Sequence, residues 1–214
     1  MSQLEYLLPL VSIIIGLGLA DLAQSVRELI RPERAVRWHW LPVLWVIIAL
    51  LLVLQIWWTA SDILRAEAFG EVLVFLPYLL NILGLYLLCA FALPDPDWTA
   101  GTWKGDSQSH DAPRSSSTAL DLKAFYFSSS HRRWFFGTLV AITVLFEIIS
   151  FSFLLIEADQ ILFEVARRRW PVLGLVAGLA ALIATDRWWV HTILSVVSFG
   201  GVVFSLFSTS PLTV

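Results

Sequence analysis

One carboxylate, Glu147, lies near the middle of an apolar stretch that runs from Trp134 to Glu157. That stretch is long enough to cross a bilayer, which takes about 20 mostly apolar residues in a helix. A charged side chain at this depth costs roughly 2.5–3.5 kcal/mol on insertion scales, so it must be protonated, hydrated or paired with a neighbouring helix. Thr143 and Ser150 share its helix face, at four residues before it and three after it. The pattern predicts an ion or proton site inside a helical membrane protein.

Polar side chains are embedded in four further apolar segments. They are Asp21, Gln55, Asn81 and Ser195, which lie in the first, second, third and last segments of the chain. Together with Glu147 they predict a polar transport pathway at the centre of a helical bundle. The alternative is that each side chain only hydrogen-bonds a neighbouring helix or, for Asp21, pairs with an arginine at the end of its own segment.

Three histidines fall at the starts of apolar segments and are weak candidates for metal or haem ligands: His39, His131 and His191. Neutral imidazole binds metals and haem iron, although a bis-histidine membrane cytochrome usually carries its ligands deeper. His191 and Ser195 are four residues apart on one helix, but nothing marks the oxyanion hole of a serine hydrolase. HExxH, GxSxG and P-loop motifs are absent from the sequence. We therefore predict no cofactor and do not favour an enzyme.

The composition places the chain in a membrane. Of its 214 residues 58% are hydrophobic and 14% are charged, against about 25% charged residues in a soluble domain. The single cysteine, Cys89, excludes a disulfide within the chain. The start of the chain lacks a basic region before its apolar run, which indicates a retained first span rather than a signal peptide. No basic surface interleaved with aromatic residues indicates nucleic-acid binding.

The apolar segments predict an all-α transmembrane bundle of six spans. The predicted spans are Tyr6–Ser25, Trp40–Ser61, Glu71–Leu93, Trp134–Glu157, Trp170–Thr185 and Trp188–Phe207. They divide the chain into three helices (1–93), a long loop (94–133) and three further helices (134–214). The eleven tryptophans cluster at the predicted span ends, which is typical of an aromatic belt.

The long loop has two parts of different character. Its first half is rich in Ser, Gly, Asp and Pro and is predicted to be flexible. In its second half, Thr118 and Asp121 have the spacing of a capping box, which predicts a short amphipathic helix before span 4. We expect this helix to lie in the membrane interface with four apolar residues on lipid: Leu120, Ala124, Phe125 and Phe127.

Basic residues predict the orientation. With the N-terminus outside, ten lysines and arginines fall on the inner side and four, Arg65 and the triplet Arg167–Arg169, on the outer side. The excess predicts a multi-pass protein of the cell (inner or plasma) membrane with both termini outside and loop 94–133 in the cytoplasm. The outer arginine triplet is the exception to this rule.

Small residues predict where helices touch. Gly16 belongs to a four-residue repeat of small side chains in span 1, and Gly174 and Gly178 form a GxxxG pattern in span 5. Spans 2 and 5 also begin similarly, with RWHWLPVLW and RRRWPVLGL. This similarity fits two inverted three-helix halves, as in many transporters, or a chance likeness of apolar helices.

The stretches GLADLAQSVREL, near the start, and DLKAFYFSSSHRRWFFG, before span 4, resemble small bacterial multi-pass membrane proteins of unknown function. Those proteins have a similar short-loop, tryptophan-rich layout. The resemblance implies a membrane location and carries no activity, so it transfers no functional residue.

Three functions fit these observations. The first is a small transporter or channel for an ion, a proton or a small solute, with the polar residues around Glu147 as its path. The second is a non-transporting accessory, sensor or scaffold subunit that uses the same residues as contacts between helices. The third is a membrane haem or redox protein. The partners expected are the lipid bilayer and either further copies of the chain or another membrane protein.

Overall fold

The computed structural model describes residues 3–31, 35–65, 69, 71–94, 119–157 and 170–208. The predicted cap at Thr118, the first half of the long loop and the outer arginine triplet lie outside the described residues. The described chain is all-α apart from one pair of two-residue strands, which confirms the predicted class.

The helices follow the predicted spans closely. They are α1 (Gln3–Ile30), α2 (Trp40–Ile63), α3 (Val72–Phe91), α4 (Leu122–Tyr126), α5 (Gly137–Glu157), α6 (Trp170–Ala184) and α7 (Trp188–Ser208). A helical turn, Ser129–His131, and a π-helical turn, Arg132–Phe136, lead into α5 without a break. By length and composition, five helical segments are able to cross a membrane. The apolar part of α6, Val172–Ala184, is shorter.

Side-chain contacts give the directions of the helices. Trp45 bonds Ser195 and Gln55 bonds Ser205, so α2 and α7 run parallel. Asn81, at the middle of α3, bonds the Ile142 carbonyl of α5. Farther along α3, the Phe91 ring lies 6.0 Å from the ring of Trp134, which precedes α5. Helices α3 and α5 are therefore antiparallel.

Six helices form a closed ring in the order α1, α3, α5, α6, α7, α2, and α2 also touches α3 across it. At one end α1, α3 and α6 finish and α2, α5 and α7 begin. We call this end, which also carries α4, the α4 end. The two halves of the chain pack differently, because α1 pairs along α3 whereas the described parts of α5 and α7 do not pair extensively. The described packing therefore does not reproduce an inverted repeat.

A short parallel ladder joins the first and third loops at the α4 end. Strand β1 (Val36–Arg37) pairs with β2 (Leu120–Asp121). The Arg37 guanidinium lies 3.9 Å from the Asp121 carboxylate. Asp121 also caps α4, since its carboxylate accepts from the backbone N–H groups of Lys123 and Ala124 at 2.9 and 3.0 Å. These contacts fix where α4 begins.

The short helix α4 packs inside the bundle end rather than on lipid, so the predicted lipid contacts of Leu120 and Phe125 are wrong. Both side chains are buried, as are Leu122 and Tyr126. Leu120 and Leu122 join a small core with Leu29, at the end of α1, and Leu93, beyond α3. The reason is that an apolar face suits the protein interior as well as it suits lipid, and here the neighbouring helix ends cover it.

The outer surface of the ring is apolar along the helices. Leucine, isoleucine, valine and phenylalanine side chains of all six long helices are exposed there. Exposed tryptophans mark both ends: Trp38, Trp40, Trp134, Trp188 and Trp189 at the α4 end, and Trp57 and Trp58 at the other. Trp45 departs from the predicted belt, because it is 1% exposed and lies in the core.

Candidate functional site: a buried aromatic and polar network

A buried network of hydrogen bonds links α2, α4 and α7 at the α4 end. The Trp45 indole N–H donates to Ser195 Oγ at 2.9 Å and to the Tyr126 hydroxyl at 3.1 Å. The Tyr126 hydroxyl lies 3.0 Å from His191 Nδ1. All four side chains are buried. A single hydroxyl of the short helix α4 thereby contacts groups on two of the long helices.

The hydrogen-bond partners determine the tautomer of His191. Its Nε2 lies 2.9 Å from the Thr185 carbonyl oxygen, which only accepts, so Nε2 carries the hydrogen. In the neutral ring Nδ1 is then the acceptor, and the Tyr126 hydroxyl donates to it. The Tyr126 oxygen in turn accepts from Trp45. Every member of the network therefore has a compatible role, which is the condition under which buried polar groups stabilise a fold.

An arginine joins the network to the protein surface. Arg132 Nη1 donates to the Thr185 carbonyl at 2.5 Å, so this carbonyl accepts from Arg132 and from His191. Arg132 also forms an ion pair with Asp186, whose side chain is largely exposed. Its Nε is buried without a hydrogen-bond partner in the described part of the chain. The pair attaches the turn between α6 and α7 to the start of α5.

The π-helical turn before α5 places two successive phenylalanines in the core. Phe135 and Phe136 are both buried, and each packs edge-on against Trp45 at 5.6 and 5.0 Å between ring centroids. His131, just before this turn, stacks on Phe135 at 5.2 Å and lies 4.3 Å from the Phe125 ring. π-helical turns are rare and are frequent at functional sites. Here the turn builds the aromatic wall of the network.

The environment of Tyr126 favours its neutral form. Burial raises the pKa of its hydroxyl to about 12, and the hydrogen bonds to Ser195 and Trp45 and the charge of Arg132 oppose that shift only in part. At the start of α2, burial lowers the pKa of His39, with the charge of Lys123 adding to the effect and Asp121 opposing it. Neutral His39 is the form that can accept from the Leu41 N–H and cap α2.

We expect Tyr126 to resist ionisation until about pH 12 in the folded protein. Since a free tyrosine ionises near pH 10, its contribution to stability is complete below that pH and is lost as the pH rises towards 12. The measurement is absorbance at 295 nm, taken as the difference between the wild type and Tyr126→Phe. After denaturation the same difference should titrate near pH 10. Titration near pH 10 in the folded protein would show that the hydroxyl is hydrated.

The polar residues predicted to form a path are bonded in separate places. Asn81 Nδ2 donates to the Ile142 carbonyl at 2.7 Å, between α3 and α5. Gln55 Nε2 donates to Ser205 Oγ at 2.6 Å, between α2 and α7 and away from the α4 end. Only Ser195 belongs to the buried network. The structure thus distributes these groups over different helix pairs.

The remaining predicted pathway residues lie on α1 and α5. Thr143 Oγ1 donates to the Leu139 carbonyl of its own helix at 2.7 Å. Asp21, Glu147 and Ser150 are half-buried. The hydroxyl of Thr143 is thus bonded within its own helix. None of these four residues of α1 and α5 belongs to the buried network.

The described part of the structure does not gather the three candidate histidines into a metal-binding group. The described residues contain no group of three or more His, Cys, Asp and Glu side chains able to hold a metal ion. Both ring nitrogens of His191 are hydrogen-bonded within the protein, and His39 Nδ1 caps α2. Haem ligation by His191 would require breaking the network, so this arrangement does not fit a haem site.

The close approaches between helices involve partly different glycines from those predicted. A Cβ on Gly16 or Gly174 would meet no atom within 4 Å. A Cβ on Gly178 would lie 3.2 Å from the Leu194 side chain. The tightest contact is at Gly84, which faces the Ile142 side chain, and a Cβ on Gly18 would lie 3.5 Å from the Tyr86 backbone.

Sequence analysis missed Trp45, Tyr126 and Arg132 as members of the site. Trp45 lies five residues after Trp40 and on a different helix face, a signal that separates it from the belt. Nothing in the local sequence distinguishes the Tyr126 hydroxyl from that of an interfacial tyrosine. The chain matches no protein-family model, no curated protein and no solved structure.

Proposed function

We propose that the chain is an integral membrane protein whose six long helices all cross the bilayer. Support comes from five helices of sufficient length, the alternating directions of successive long helices along the chain, the apolar outer surface and the tryptophans at both ends. In this proposal α6, the shortest of the six, is the sixth span. All lysines and arginines of the described residues except Arg65 lie towards the α4 end, which favours that end as the cytoplasmic one.

We propose further that the protein acts as a non-transporting accessory or sensor subunit. The observation that carries this proposal is the insertion of the Tyr126 hydroxyl between Trp45 and His191. Tyr126 belongs to the segment that ends the long loop. A partner or ligand that pulled on this loop would act directly on buried groups of α2 and α7. Through the network, a change in the conformation of the long loop would alter the contacts of the membrane helices.

Hydrogen exchange tests this coupling. Tyr126→Phe removes the donor to His191 Nδ1 and leaves that nitrogen buried, a change that costs about 1–3 kcal/mol. We expect backbone exchange in residues 119–127 to accelerate about tenfold or more, with smaller changes at the start of α7. Tyr86→Phe, on α3, is the matched control and should leave these segments unchanged. Equal acceleration in both variants, or in neither, would refute the coupling.

A transporter remains the second candidate because Glu147 is a half-buried carboxylate at the middle of an apolar helix. The separate bonding of Asn81 and Gln55 argues against a single path through one copy of the chain. In an oligomer, a path between copies would be possible, with Glu147 at its centre.

Flux through liposomes separates the two candidates. We expect the purified protein, reconstituted with a pH-sensitive dye inside, to conduct protons and monovalent cations no faster than protein-free vesicles. Glu147→Gln, which keeps the shape of the side chain, should then change only stability. A flux that the wild type supports and Glu147→Gln abolishes would overturn the accessory proposal in favour of a transporter.

A further inference from the structure

A patch of exposed tryptophans and arginines lies where the start of α5 meets the turn between α6 and α7. We call it the basic corner; it consists of Arg133, Trp134, Arg187, Trp188 and Trp189. The three tryptophans are 63%, 51% and 54% exposed. The ion pair of Arg132 and Asp186 lies between the two parts of the corner. Arg133 directly follows Arg132 in the sequence, and Arg187 directly follows Asp186. This ion pair holds the two parts of the corner near each other.

The arginines of the basic corner differ from others at the α4 end. Arg27 and Arg31 both pair with Glu28 at 3.2 Å, and Arg37 faces Asp121. Within the described ranges, no carboxylate lies within 4.0 Å of the Arg133 or Arg187 guanidinium. Asp186, which precedes Arg187 in the sequence, is already paired with Arg132. The corner thus presents two guanidinium groups that pair with no carboxylate of the described residues.

We propose that the basic corner binds the phosphate headgroup of an anionic phospholipid. This proposal rests on the membrane placement proposed above. Guanidinium groups bind phosphate through charge-assisted hydrogen bonds, and exposed indoles lie at the depth of the headgroups. The lipid would hold the α6–α7 turn, and hence the Thr185 carbonyl that orients His191, against the start of α5.

Native mass spectrometry of the full chain in mild detergent tests the proposal. Dioleoyl phosphatidylglycerol and dioleoyl phosphatidylcholine, which share the same acyl chains, are titrated in competition. We expect the wild type to retain phosphatidylglycerol preferentially, and Arg133→Gln with Arg187→Gln to weaken that preference about 10- to 30-fold, as expected for two basic contacts with an anionic lipid. Arg27→Gln with Arg31→Gln removes the same charge from the same end and should keep the preference. Arg133→Lys with Arg187→Lys should keep most of it.

Three outcomes would overturn the proposal. The first is that the wild type shows no preference for phosphatidylglycerol. The second is that both pairs of Arg→Gln substitutions lose the preference equally. The third is that inorganic phosphate at the same concentration displaces the lipid. Extraction of the protein from membranes by alkaline carbonate would instead refute the membrane placement itself. Failure of the lipid proposal is therefore distinguishable from failure of the membrane placement. The arginines tested are exposed, so their replacement leaves the core intact.

Discussion

Replacing Trp45 with alanine should lower the free energy of unfolding by about 3 kcal/mol, at the lower end of the range for a buried tryptophan. The substitution removes the ring that packs on Phe135 and Phe136. It also leaves the Tyr126 and Ser195 oxygens without their donor. The lower end follows from the membrane placement proposed above. A membrane helix stays in lipid when the bundle unfolds, so the loss is one of packing and hydrogen bonding.

Trp58→Ala is the matched control, since it makes the same change in the same helix. Trp58 is 66% exposed, and we expect a loss within about 0.5 kcal/mol, as for most surface positions. Denaturation in mixed micelles with increasing sodium dodecyl sulfate measures both variants. Equal losses at the two positions would mean that Trp45 lies on lipid and that the network is not formed.

Gly84→Val should destabilise the packing of α3 on α5. A Cβ at this position would collide with the Ile142 side chain, and Ile142 is itself buried. Overpacking of this kind costs about 1–3 kcal/mol, because neighbouring side chains are forced out of their preferred rotamers. The same contact adjoins the bond from Asn81 to the Ile142 carbonyl, so displacing Ile142 also weakens that bond.

A double-mutant cycle identifies the cause of the loss. Gly174→Val, where a Cβ would meet no atom within 4 Å, controls for helix propensity and should cost little. Ile142→Ala removes the colliding methyl group, so Gly84→Val combined with Ile142→Ala should lose less stability than the sum of the two, with a coupling of about 1 kcal/mol or more. Additive losses would show that Gly84 and Ile142 do not meet.

The elements of the bundle are largely predictable from the sequence. Runs of about 20 apolar residues form helices because a chain in lipid must satisfy its own backbone hydrogen bonds. This requirement placed the helices near their observed positions, such as α2 at Trp40–Ile63 and α7 at Trp188–Ser208. The sequence likewise identified Asn81 and Gln55 as polar groups within the helices.

Which groups meet is decided only by the tertiary structure. The sequence does not distinguish Trp45, in the core, from Trp58, on the surface, nor the tight contact at Gly84 from the open face at Gly16. It also placed Phe125 on lipid, whereas the bundle end covers it. The physical reason is that lipid and a protein interior are both apolar, so hydropathy alone selects the helix but not the face that it buries. The hydrogen bonds of Tyr126 exist only because α2, α4 and α7 converge at one end.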